Sequence, residues 1–181
     1  MAKRDHREES TMEATAKALW DTMSAASDAH GETNDCTVRT LTAVTGLSYD
    51  DCHRQLAKQG RKNRRGCHWM IEGPKAAEAL GCTMRRMDYS EYRAKTMITA
   101  ERDPALRSGR FAILVRGHVA GMIDGDIVDW SQGRRHRIQA VYEVTGQAAA
   151  PTPVRRDPMP AGSENWTSFR KYNKRDNLEL F

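Results

Sequence analysis

No apolar run approaches the roughly 18 residues that a membrane-crossing helix needs. The charged start MAKRDHREES has no apolar segment behind it, so a secretory signal is not expected and a reducing cytoplasm is. Cysteine is scarce and evenly scattered. Cys36, Cys52, Cys67 and Cys82 stand 15 or 16 residues apart with no C-x2-C pair, which argues against a disulfide frame. Cys52-His53 and Cys67-His68 put donors on adjacent residues that point in different directions, unlike a zinc knuckle or ribbon. No internal repeat is visible. With 39% hydrophobic residues and a mean hydropathy of −0.75, the chain predicts a small core. Its 181 residues and net charge of +5 suit one globular domain.

What is present divides the chain into four. Residues 1–30 are charged and Ala-rich, an N-terminal helical extension. Residues 31–146 hold nearly all the aliphatic clusters. Residues 147–165 are rich in Pro, Ala and Gly and read as a linker, because such a stretch buries too little apolar surface to offset its ordering entropy. Residues 166–181 regain Trp166, Phe169, Tyr172, Leu178, Leu180 and Phe181, a tail suited to docking on its own domain or on a partner.

Helices are expected first. Met12, Ala16, Leu19, Trp20 and Met23 follow a helical stripe over 9–26. Val38, Leu41 and Val44 predict a helix over 36–45 that ends at Gly46. Ser48 with Asp51 resembles a capping box opening a helix that closes near Gly60. Pro74 suits the first turn of a helix running to Leu80. Strands follow at 111–115, 119–123, 126–130 and 137–144, with Asp124-Gly125 a hairpin signal between the second and third. In the last, Ile138, Ala140, Tyr142 and Val144 are expected on one face. The order predicts an α+β domain, N-terminal helices packed on an antiparallel sheet.

Cys36 opens a predicted helix. The partial positive charge and unpaired N–H groups at a helix start favour a thiolate and can hold an oxyanion; the alternative is a buried, inert thiol. If Asp124-Gly125 is a two-residue turn, Ile123 faces Asp126 and Ala120 faces Asp129. His118 and Asp129 then share a face and lie diagonally adjacent. A three-residue turn would separate them. Asp129, between Val128 and Trp130, needs a partner because burying an unpaired charge is costly. Asp124 and Asp126 are competitors nearer the turn. Cys, His and Asp supply the nucleophile, base and orienting acid that a thiol hydrolase uses.

The segments Asn34-Asp35-Cys36-Thr37-Val38-Arg39-Thr40-Leu41, Arg116-Gly117-His118-Val119 and Ile127-Val128-Asp129 resemble papain-like cysteine peptidases of the C39-like group, more narrowly small phage-encoded members. The likeness spans residues 33–145. It implies a papain-like fold, a protein or peptide substrate, and Cys36, His118 and Asp129 as nucleophile, base and orienting acid. No metal or organic cofactor is implied. A family oxyanion donor is expected upstream of the cysteine. The Gln usual there is absent; His30 stands six positions before Cys36, and Asn34 is the nearest amide side chain. The region after the nucleophile helix borders the cleft in such folds, which makes Trp69 a groove residue; core packing of Trp69 and Met70 is the other reading.

Arg54 to Arg65 holds six basic residues and no acidic one. Arg61, Lys62, Arg64 and Arg65 are therefore candidate phosphate contacts, against the alternative of a solvated loop. Arg134-Arg135-His136-Arg137 is a second basic cluster. Two other functions stay open beside hydrolysis: a catalytically silent papain-like module binding a host or virion protein through the basic loop and tail, and a nucleic-acid-associated accessory protein.

Overall fold

The computed structural model describes residues 6–146. The expected linker at 147–165 and tail at 166–181 lie outside the described residues, and Met12 lies outside the described side chains. Among the described residues, helices α1 (His6–Ala29), α2 (Cys36–Thr45), α3 (Tyr49–Lys58) and α4 (Trp69–Ala79) precede a five-stranded sheet. The fold class is α+β, and no described helix is long and apolar enough to cross a membrane.

Local chemistry sets the helix ends. Gly46 takes the left-handed conformation (φ 72°) and its N–H donates to the Thr42 carbonyl, closing α2. Ser48 Oγ accepts from the Asp51 N–H at 3.1 Å, opening α3. Helix α4 departs from expectation. It begins five residues before Pro74, which sits inside the helix. Two forces set the earlier start: Trp69 is buried, and Glu72 Oε2 accepts from the His68 N–H at 3.0 Å. The bond that Pro74 forfeits falls beside Met70, which is exposed.

The strands β1 (Cys82–Arg86), β2 (Arg110–Val115), β3 (His118–Ile123), β4 (Asp126–Ile127) and β5 (Ile138–Gly146) run antiparallel in the order β1-β5-β2-β3-β4. Between β1 and β2 lie the short helices α5 (Tyr89–Tyr92) and α6 (Met97–Ala100) and a 3-10 turn (Pro104–Leu106). The third expected strand, 126–130, is paired only through Ile127; beyond it the chain leaves the ladder after the Val128 N–H donates to Gly121 O. Strand β1 escaped the sequence pattern because only Cys82 in it is buried, as an edge strand permits.

The sheet has a core on each face. Val38, Leu41, Val44 and Leu56 from the helices meet Ala112, Val119, Ala140 and Tyr142. On the other face Tyr92, Met97 and Leu106 cover Phe111, Ile113, Ala120 and Met122. Ile138 belongs to this second core, not with Ala140 and Tyr142. A register shift lets Leu114 pair with Ala140 and Val115 with Ile138, so Gln139 is the extra residue of a bulge and reverses the alternation.

Candidate active site

The nucleophile candidate begins the helix that packs closely on strand β3. At Gly121 of β3, an added Cβ would fall 2.7 Å from Ala43 Cβ, so the helix backbone rests almost directly on the strand. One turn back along α2, Thr40 Oγ1 donates to the Val119 carbonyl at 3.0 Å in a buried contact. Helix and strand therefore advance together, from Thr40 at Val119 to Ala43 at Gly121. That register brings the start of α2, Cys36, to the start of β3, His118.

His118 is the first residue of its strand and sits at the rim of the sheet, part-buried. Its Nε2–H donates to Asp129 Oδ1 at 2.8 Å, which leaves Nδ1 for the neighbouring Cys36 side chain. Burial opposes the charged ring, but Asp129 and Cys36 outweigh it and push the His118 pKa up to about 10. The expected hairpin register carries this geometry. Ile123 pairs with Asp126 and Met122 with Ile127, and both turn residues have positive φ (Asp124 49°, Gly125 92°), the type I′ signature. Asp124 Oδ1 accepts from the Gly109 N–H, so it serves the turn. Asp129 is 5% exposed and also accepts from the Ser131 N–H at 2.8 Å.

Cys36, half-buried, begins α2 behind an unusual N-cap. The Asp35 side chain makes no cap hydrogen bond. It accepts twice from Arg39 Nε at 3.0 Å and from the Tyr49 hydroxyl at 2.7 Å. Arg39 in turn donates to Ser24 Oγ and lies over the Trp20 ring at 4.4 Å. Asp35 thus ties α1, α2 and α3 together, and its carboxylate leaves the first N–H groups of α2 uncapped. Burial pushes the other three thiols up: Cys52 to about 11, Cys67 to about 12, and Cys82 upward. All three belong to the core or pack on it.

Other expected site residues fare differently. Asn34 is exposed. Its carbonyl accepts from Arg61 Nη2 at 3.2 Å, and its amide Nδ2 lies 4.0 Å from where a Cβ on Gly66 would be. Trp69 is 4% exposed and packed over Gly73 in the core, so it lines no groove. Arg61 is no phosphate contact: it is buried in a bidentate ion pair with Glu32, at 2.8 and 3.0 Å. Arg64 is exposed, but its backbone N–H donates to Glu32 and its Nε to Gly31 O. Lys62 and Arg65 remain exposed. Cys52 is buried and His53 donates to Glu32 at 2.8 Å, so the adjacent pair does not act together. Among the described residues no group of three or more His, Cys, Asp or Glu is arranged to hold a metal.

Two features escaped sequence reasoning. Trp130, 37% exposed, sets its ring 4.9 Å from that of His118, and the His136 ring lies 5.9 Å from the indole in an edge-on arrangement. Its position directly after Asp129 was the available signal. The Glu32–Arg61 pair had none, since 29 positions separate its members. No protein-family profile, curated protein or solved structure matches the chain.

Proposed function

We propose that the chain is a papain-like thiol hydrolase that cleaves an amide or isopeptide bond through an acyl-enzyme on Cys36. One observation carries the reading: the His118 ring lies between the Cys36 side chain and the Asp129 carboxylate, at a helix start whose N-cap side chain caps nothing.

In this mechanism Cys36 hands its proton to His118 Nδ1 before attack, since Asp129 and Cys36 hold the ring in its charged form, and Cys36 Sγ then attacks the carbonyl carbon. Asp129 holds the ring through Nε2 and stabilises the imidazolium. The tetrahedral oxyanion is met by the uncapped N–H groups at the start of α2. On collapse the C–N bond breaks, His118 returns the proton to the leaving amine, and a thioester remains. A water that gives its proton to His118 then attacks the thioester. The acid leaves, and Cys36 Sγ departs as the anion beside the protonated His118, which restores the starting pair.

The test is iodoacetamide labelling mapped by mass spectrometry. Cys36 should label first, ahead of Cys52, Cys67 and Cys82, and should slow by about tenfold or more in His118→Ala, a size typical of losing a positioned base. Cys36→Ala should keep the native circular dichroism and abolish the fast labelling. Equal rates with and without His118 would overturn the reading.

A further inference from the structure

Beside the start of α2 lies a depression of about 470 Å³, lined by Arg61, Lys62, Arg65, Cys67, His68 and Glu72 among others. Contacts on both sides of Cys36 reach its wall. On the N-terminal side, the Asn34 carbonyl accepts from Arg61 and the Asn34 amide lies against Gly66, which also lines the hollow. On the C-terminal side, the Thr37 hydroxyl lies against the Cys67 thiol. The depression therefore borders the stretch that carries the nucleophile.

Its exposed charge has a positive excess. Lys62 and Arg65 are exposed and neither has an acidic partner among the described residues. The acidic lining residue, Glu72, accepts from the His68 N–H and faces the Cys67 thiol, so its charge lies at the far end of the lining sequence from Lys62 and Arg65, which outnumber it. The turn presenting the two cations is also held from beneath. Arg61 is clamped on Glu32, the Arg64 N–H donates to the same carboxylate at 2.7 Å, and Arg64 Nε donates to Gly31 O. The Arg65 N–H closes the turn on Lys62 O. Donors fixed in advance bind an anion without the cost of ordering a loop.

We propose that this depression is a substrate subsite for an acidic peptide residue next to the bond that Cys36 attacks, with Lys62 and Arg65 as its carboxylate-binding cations. The proposal rests on the thiol-hydrolase reading and adds its substrate class.

Chloroacetyl-Gly-Glu-amide, chloroacetyl-Gly-Gln-amide and chloroacetyl-Gly-Lys-amide carry one electrophile and differ in one side-chain charge. On the full chain at low salt, Cys36 should be alkylated about tenfold faster by the Glu probe than by the Lys probe, as one charge-assisted contact would give. The Gln probe should fall between, and added salt should narrow the gap. Lys62→Glu/Arg65→Glu should reverse the order, and Lys62→Gln/Arg65→Gln should flatten it. Both substitutions lie on exposed side chains, and each probe rate is read relative to the iodoacetamide rate of the same variant, which removes any change in the reactivity of Cys36 itself.

Equal rates for the three probes, with His118-dependent iodoacetamide labelling intact, would overturn the subsite and leave the hydrolase standing. Loss of that His118 dependence would overturn the hydrolase itself. If instead a fluorescent oligothymidylate binds through Lys62 and Arg65 while the probes show no order, the cations serve phosphates and the subsite is overturned.

Discussion

Glu32 shows how one residue can organise the approach to Cys36. Its side chain is fully buried, and its two oxygens accept from Arg61 Nη1 and Nη2, His53 Nε2 and the Arg64 N–H. Burial works against the carboxylate, but Arg61, Arg64 and His53 outweigh it and hold the pKa at about 2, below the usual 4.5. A depressed carboxyl pKa contributes stability that is present above about 4.5 and lost as the pH falls toward about 2. At about 1.4 kcal/mol per unit that is about 3 kcal/mol. Glu32→Gln should cost about 3–5 kcal/mol at neutral pH, because it leaves the Arg61 guanidinium buried without its counter-charge. Urea unfolding at pH 7 and pH 3 checks both statements: the wild type should lose stability between them and the variant much less. Equal losses would mean that Glu32 does not govern the acid limb.

The helix-on-strand contact is the decisive feature among the elements. Helix α2 can set its Cys36 end on the His118 end of β3 only because position 121 has no side chain. A Cβ there would meet Ala43 Cβ at 2.7 Å and Val44 Cγ1 at 3.6 Å. Gly121→Ala should therefore cost about 1–3 kcal/mol by overpacking, and the displaced helix should also slow Cys36 labelling. Chemical denaturation together with the iodoacetamide rate would show it. A variant of wild-type stability and rate would mean that the contact is slack. Gly121 also explains a limit of sequence reading. Within Val119-Ala120-Gly121-Met122-Ile123 it looks like a mere weakness in a strand, yet what it answers is a helix 78 positions away in sequence.

For the whole molecule, two opposing groups shape stability against pH. The Glu32 contribution fades below about 4.5. His118 has the opposite sign: its folded pKa is raised from 6.5 to about 10, so its contribution is complete below 6.5 and lost as the pH rises through about 10. Cys52 and Cys67, raised from 9 to about 11 and 12, add a further alkaline loss that begins only above 9. His118→Gln should therefore flatten the melting temperature between pH 6.5 and 9 and leave the steeper decline above 9 in place. Calorimetry across that range tests it; a variant that parallels the wild type would show that the His118–Asp129 pair does not stabilise the fold.

The sequence by itself determined α2 and α3, the α+β order and the hairpin register, because caps, a positive-φ turn and alternation are local properties. That register carried the placement of Asp129 beside His118. Only the tertiary structure decided the rest. It turned Ile138 to the opposite face through a bulge at Gln139, and it drew Arg61 out of an exposed basic run onto Glu32. It also packed Trp69 into the core and brought Trp130 over His118. Each outcome depends on a partner distant in the chain or on pairing across the sheet. A buried charge takes whichever opposite charge the fold delivers, and no local pattern names that partner.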